Sequence, residues 1–207
     1  MAWLLGIDAT KPRRVLPMRA EPACVPYKER VEYRREHGFN PTGIHAGGPE
    51  IEDRFWPQTG HFIKKVGELP RILGVCGFYL VPKVWREVIE RFEPGVHQFK
   101  HVPLFYKDGS PVEEEFHAIN IRQAYHDIVD LEKSTAPKKN HPTRDYIFLT
   151  SFLTGQLYFK KSQMKNFHLW FPREILVYKI AMSNDLYAAI AETGGMNTID
   201  TLEIEEL

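Results

Sequence analysis

The sequence predicts an α+β fold in which a mixed or antiparallel sheet carries a few short packed helices. The first observation is a strand–helix–strand pattern that begins near residue 73 and recurs near the carboxyl end of the chain. The second is composition: 43% of the 207 residues are hydrophobic and 26% are charged, as in globular proteins that bury a core. These observations exclude wholesale disorder, and no apolar run is long enough to span a bilayer.

Residues 1–70 are predicted to form a Pro/Gly-rich extension that packs on a main domain of residues 71–207. Within this extension, "PYKERVEYRREHG" begins with Pro26 and ends with Gly38, which are residue types that commonly begin and end a helix. Its charges indicate a surface helix. The cluster of Arg30, Arg34 and Arg35 is interpreted as a solvated face, with single-stranded nucleic-acid binding as an alternative.

The first strand–helix–strand unit follows. "GFYLVP" is predicted to be a buried strand that ends at Pro82. "KVWREVIERF" then places Trp85, Val88 and Ile89 at helical spacing, which predicts a helix with one face in the core. "EPG" ends this helix, "HQFKHVPLFY" alternates as a strand, and "FHAINI" alternates again after the turn "KDGSP".

A second unit with the same order lies near the carboxyl end. "ILVYKIAMS" predicts a strand, "NDLYAAIAET" a short helix and "MNTIDTLEIEEL" a final strand. Aligning Val81 with Met182 pairs Trp85 with Leu186, and it also pairs Ile89 with Ile190. The similarity suggests two related units, although a common pattern can also recur by chance.

Candidate chemistry is concentrated in "HAINIRQAYHDIVDLEKS", since the common phosphate-binding, nucleophile and zinc motifs are missing. If its second half is helical, His126 and Asp130 share a face and could serve a metal-dependent enzyme or regulator, with His141 nearby in sequence. The favoured interpretation is a corner in which Asp127, Asp130 and Ser134 bind backbone amides. We therefore expect no catalytic residue, no bound metal and no cofactor.

Charge and cysteine content bear on partners and location. The formal net charge is +0, which does not favour binding to nucleic acid or to a membrane surface. Cys24 and Cys76 lack metal-ligand spacing, and Cys76 is expected to be a small core residue. The apolar run at the N-terminus is too short for a signal peptide, so we expect a cytoplasmic protein.

The segments "GFYLVPKVWREVIERFEPGVHQF", "HAINI", "HDIVDLEKS" and "ILVYKIAMSNDLYAAIAETG" resemble the immunity protein 11 family of bacterial polymorphic toxin systems, over roughly residues 70–207. The resemblance implies an α+β immunity protein that is not an enzyme and that occludes the active site of a cognate toxin domain. On this match Asp130 and Ser134 fall on the family's characteristic Asp and Ser, whereas Pro82 replaces a helix-capping Ser. The oligomeric state stays open. The side chains that we expect to contact the toxin are Glu113, Glu114, Glu115, Asp127 and Trp170.

Overall fold

The computed structural model describes residues 1–6, 18–21, 24–38, 49–135, 138–141, 144–149, 156–164, 166–176, 180–194 and 196–207. Within them, the helices are α1 (Tyr27–His37), α2 (Lys83–Phe92) and α3 (Asn184–Ala191), and none of these is long and apolar enough to cross a membrane. The strands are β1 (Ala2–Gly6), β2 (Met18–Ala20), β3 (Gly60–Phe62), β4 (Leu73–Val75), β5 (Phe78–Pro82), β6 (Gln98–His101), β7 (Leu104–Phe105), β8 (Phe116–Asn120), β9 (Ala124–Tyr125), β10 (Lys138–His141), β11 (Arg144–Leu149), β12 (Tyr158–Phe159), β13 (Leu169–Pro172), β14 (Ile175–Leu176), β15 (Ile180–Ser183) and β16 (Asp200–Glu206). They pair in antiparallel and mixed sheets, which confirms the predicted α+β class.

Two sets of four strands have the same arrangement. The first is β4-β5-β8-β6, and the second, β13-β15-β1-β16, lies within a longer sheet that adds β9 and β12 at its ends. Neighbouring strands inside both sets are antiparallel. In each set a helix joins two parallel strands that are separated by one antiparallel strand. The two units suggested by the sequence therefore share one topology.

The first strand of the chain lies in the sheet of the second unit. β1 pairs with both β15 and β16, and Ala2 lies opposite both Ser183 and Ile204. It is therefore an interior strand of the C-terminal sheet, which is continuous only through β1. The division at residue 70 into an N-terminal extension and a main domain stays a prediction.

The helices α2 and α3 share one core between the two sheets. Trp85 and Ile89 of α2 are buried, and so are Leu186 and Ile190 of α3, as their helical spacing predicted. α2 and α3 pack against each other, and their apolar faces belong to one cluster of buried side chains. Truncation of a buried aromatic side chain such as Trp85 typically costs about 3–5 kcal/mol, so this stripe is a major determinant of stability.

The N-terminal segment covers the other face of the first sheet. α1 runs from Tyr27 to His37 and ends at Gly38, whose φ of 78° is the left-handed conformation that glycine tolerates, so the predicted helix is confirmed. Tyr33 of this helix is buried, and it packs edge-on against Phe55 at 4.6 Å between ring centroids. Burial of Tyr33 and Phe55 ties α1 to the back of the sheet.

A disulfide fastens this segment to the first sheet. Cys24 and Cys76 are bonded, with 5.6 Å between their Cα atoms. Cys76 packs partly buried against the core, as expected, but the expectation that it is simply a small core residue missed the cross-link. Cys76 and Gly77 form the two-residue turn between β4 and β5, with φ values of 54° and 80°. Positive φ at both positions is typical of the tight turn that matches the twist of a hairpin. The cross-link therefore joins the chain just before α1 to the tip of that hairpin.

Candidate partner-binding surface

The acidic run at residues 113–115 is largely engaged with basic side chains of the same molecule. Glu114 forms an ion pair with Arg71, and Glu115 lies 3.1 Å from the ammonium group of Lys83. The Lys83 hydrogen bond and charge lower the pKa of Glu115, so it is ionised at neutral pH. Glu113 is exposed. Two of the three charges are thus compensated locally, which weakens the run as an attractive surface for a basic partner.

Asp130 and Ser134 organise backbone in a turn. The Asp130 carboxylate accepts hydrogen bonds from the amides of Glu132 and Lys133, both at 3.1 Å. The Ser134 hydroxyl accepts one from the amide of Tyr158 at 3.0 Å. These bonds hold residues 128–135 against the strand at Tyr158, where Val129 and Phe159 form a further bridge. The corner follows no helix, because residues 126–130 are irregular.

The irregular backbone argues against the alternative of a metal site formed by His126 and Asp130. Without a helix there is no common face for His126 and Asp130, and Asp130 already accepts two amide bonds. Among the described residues, no group of three or more His, Cys, Asp or Glu side chains is placed to hold a metal ion. The side chain of His141 lies outside the described part of the structure.

Asp127 sits at an exposed bend with φ 58°, beside a carboxylate that the sequence did not single out. Glu174 accepts a 2.8 Å hydrogen bond from the amide of Ile128. Burial, followed by the charge of Asp127, raises the pKa of Glu174. The second Glu174 oxygen is buried and has no hydrogen-bond partner among the described residues. Glu174 therefore fixes the backbone of this bend, and the Asp127 side chain is exposed to solvent.

Trp170 is corrected from a partner contact to a core residue. Its relative exposure is 0%, and its ring packs edge-on against Tyr125 at 5.6 Å. It belongs to the cluster on the face of the second sheet opposite the helices. A side chain with no exposed surface cannot touch a partner, so replacing Trp170 would damage the fold.

Glu93 and His97 form a buried polar joint that sequence reasoning missed. His97 Nδ1 accepts from the amide of Arg122 at 3.2 Å, so the proton is on Nε2, which donates to Glu93 at 2.7 Å. The other Glu93 oxygen accepts from the amide of His168 at 2.6 Å. The i,i+4 spacing of Glu93 and His97 was the available signal. The joint links the end of α2 to β13 and hence the two units.

Two adjoining cavities form a groove, which we call the Tyr106 groove. The larger one, of about 590 Å³, is lined by Lys65, Val66, Tyr106, Lys107 and Asp108. The smaller one, of about 400 Å³, shares Tyr106 and Lys107 with it and extends the groove towards Arg19, Glu21, His61 and Ile63. The described part of its lining thus comes from three separate segments, near residues 19–21, 61–66 and 106–109.

The walls of the groove combine aromatic and aliphatic surface with charge. His61 stacks on Phe105 at 4.8 Å between centroids, and Ile63 is 46% exposed. Arg19 pairs with Glu21 at 2.8 Å, whereas Lys65 and Lys107 are exposed and pair with no acidic side chain among the described residues. The groove therefore offers apolar contact together with two uncompensated ammonium groups.

Comparison with known proteins gives a match to the protein family described as "Immunity protein family (Imm11)", over residues 9–205. The match includes most of residues 1–70, which the sequence resemblance had left out. A search of curated proteins found no match. The extent of the family match agrees with the fold, in which the N-terminal segment covers the first sheet and forms part of the groove.

Proposed function

The chain belongs to the Imm11 family of immunity proteins, and from this premise we propose that it neutralises a cognate toxin domain by binding it. The observation that carries the proposal is the extent of the match, residues 9–205, which is nearly the whole chain. Immunity proteins as a class act on their toxins by binding. We propose that here the bound protein covers the active site of the toxin or the entry for its substrate.

The construction of the molecule supports inhibition by occlusion. A blocking protein requires a stable, complementary surface and no reactive group of its own. The buried Glu93–His97 joint holds the two units together, and the packing of Tyr33 on Phe55 fastens the N-terminal segment to the first sheet independently of the disulfide. Such cross-connections limit the conformational freedom that binding would otherwise have to remove.

Co-expression is the direct test. The toxin domain encoded beside this chain is expressed in a sensitive bacterial host with and without the chain, and the complex is then purified through a tag on the toxin. We expect the chain to restore growth and to co-purify at a fixed stoichiometry. Growth arrest despite full expression of the chain, together with absence of a complex, would refute the proposal.

The compartment of the proposed complex has a separate test. We propose the cytoplasm, where thiols stay reduced, whereas a disulfide is typical of oxidising compartments. Thiol alkylation inside intact cells, followed by mass measurement, distinguishes the two. Alkylation of Cys24 and Cys76 supports the cytoplasmic proposal, and an unmodified, oxidised pair overturns it.

A further inference from the structure

We propose that the Tyr106 groove is the surface that contacts the toxin, and that its occupant is a toxin segment with acidic side chains flanking an apolar one. This inference rests on the proposed function and assigns that function to one place on the molecule. Its described lining comes from residues 19–21, 61–66 and 106–109, and the first two of these segments belong to the N-terminal part of the chain.

The groove is held by backbone structure on both sides. On one side, Tyr106 and Ser110 close a tight turn, because the amide of Tyr106 donates to Ser110 at 2.8 Å and the amide of Gly109 donates to Tyr106 at 3.0 Å. On the other side, β3 lies between β2 and β7. A Cβ at Gly60 would come within 2.7 Å of side-chain atoms of Leu104 and Met18, so these strands approach closely. The groove is therefore preformed, which favours tight binding.

Apolar surface gives the groove an anchor point. Ile63 is 46% exposed although it directly follows a strand whose Phe62 is buried. Val66 and Tyr106 are half-buried beside it, and the Tyr106 ring stacks on Phe62 at 6.2 Å between centroids. A partly exposed aromatic and an aliphatic side chain around a cavity are the features that bury a partner's apolar side chain.

The charges around this anchor select the partner. Lys64, Lys65 and Lys107 are exposed and have no acidic partner among the described residues. Among the described residues that line the larger cavity, Asp108 is the one acid, and it is held by its own turn, since its carboxylate accepts from the amide and hydroxyl of Ser110 at 3.0 and 2.6 Å. The local excess of positive charge is complementary to acidic side chains of a bound segment.

A protein segment fits these features better than nucleic acid does. The whole chain has a formal net charge of +0, and three lysines could neutralise only a few phosphates. The aromatic rings also stack on one another within the protein, His61 on Phe105 and Phe62 on Tyr106. Bases would have few free faces on which to stack.

Charge reversal in the groove is the first test. The variant Lys65→Glu/Lys107→Glu is compared with Lys133→Glu/Lys161→Glu, which makes the same charge change at exposed lysines outside the groove. Binding to the toxin domain encoded beside the chain is measured by biolayer interferometry. We expect the groove variant to bind at least about tenfold more weakly, mainly through slower association, and the difference to shrink in high salt. Equal affinities for the two variants would overturn the inference.

Photo-crosslinking locates the contact independently of charge. A photoreactive phenylalanine is placed at Ile63 or at Val84, two exposed aliphatic positions of which only the first borders the groove. We expect a covalent adduct with the toxin from position 63 and none from position 84. Adducts from position 84 alone would move the interface to α2 and overturn the inference.

The outcomes separate the two proposals. If the wild-type chain binds the toxin and restores growth while both groove tests fail, the proposed function stands and the groove assignment falls. If the wild-type chain neither binds nor restores growth, both fall together. If the groove variant instead loses salt-sensitive binding to a single-stranded oligonucleotide while toxin binding is unchanged, the groove is a nucleic-acid site and the inference is wrong.

Discussion

His117 gives the sharpest quantitative prediction, because it is a buried histidine that must stay neutral. It lies in β8, an interior strand of the first sheet, and is 4% exposed. The Arg86 guanidinium donates to its Nε2 at 3.1 Å, so Nε2 is the acceptor and cannot carry the proton. The ring of His101 lies 5.5 Å away, and Glu115 and Lys83 are the other charges that act on it. Protonation of His117 would break the hydrogen bond from Arg86 and would place a buried positive charge next to the positive charge of the guanidinium.

Burial, followed by the positive charge of Arg86, lowers the pKa of His117 from 6.5 to about 4. In the unfolded chain the side chain takes up its proton near pH 6.5. Between pH 6.5 and 4 the unfolded state therefore binds more protons, and the free energy of unfolding falls as the pH falls. The full difference would be worth about 3.4 kcal/mol. Because Arg86 is exposed and can move into screening solvent, we expect about 1.5 kcal/mol.

The test compares the wild-type chain with His117→Gln, whose amide oxygen can still accept from Arg86 but does not titrate. Urea unfolding is followed by tryptophan fluorescence at several values of pH from about 7.5 to 4. The difference in unfolding free energy between the two proteins should be constant above pH 7 and should fall by about 1.5 kcal/mol towards pH 4. A constant difference over the whole range, or an NMR titration of His117 near its ordinary pKa, would refute the reasoning.

Three further predictions concern stability. Cys24→Ser/Cys76→Ser opens a cross-link between residues 52 apart and should lower the free energy of unfolding by up to about 4 kcal/mol, and a reducing agent should lower the unfolding midpoint of the wild-type chain only. Ser134→Ala removes the acceptor of a strand amide and should cost about 1–2 kcal/mol in urea unfolding, whereas a cost near zero would contradict the contact. His97→Leu leaves the buried Glu93 carboxylate without its ring partner and should cost about 3 kcal/mol; adding Glu93→Gln should recover part of this loss, and no recovery would argue against a buried charge.

Local patterns predicted the secondary structure well where short-range physics decides it. The helix α2 occupies Lys83–Phe92, which is the stretch whose apolar residues recur at helical spacing. The helix α1 ends where Gly38 can adopt positive φ, and α3 begins where the Ser183 hydroxyl accepts from the amide of Leu186 at 3.2 Å. In each case the determinant lies within a few residues of the element that it sets.

The failed expectations involve pairings between distant residues. Nothing near Cys76 indicates that Cys24 lies beside it, because their proximity depends on how the N-terminal segment crosses the sheet. The strand β1 could not be assigned to the C-terminal sheet from its own five residues, since a short apolar run is equally compatible with many neighbours. The exposure of Trp170 likewise depends on what covers its face of the sheet.

The candidate surface illustrates the same limit at the level of function. The acids at residues 113–115 attract attention because they are adjacent in sequence, yet Glu114 and Glu115 pair with basic residues of the fold. Lys65 and Lys107 are 42 positions apart and become one surface only when β3 and β7 pair. Charge runs therefore predict binding surfaces poorly when residues distant in sequence carry the counter-charge.

The two units show that the C-terminal sheet depends on the first strand of the chain, which lies before residue 9, where the family match begins. Each unit has a helix that joins two parallel strands, and each needs an antiparallel strand between them. In the first unit this strand is β8, which follows the helix in the chain, and in the second it is β1, which precedes everything else. The second unit is therefore incomplete without the first residues of the chain. Within the matched residues, Tyr33 and Phe55 pack on the first sheet, and Arg19 and His61 line the Tyr106 groove. A change in this part of the chain would therefore affect both the fold and the proposed interface.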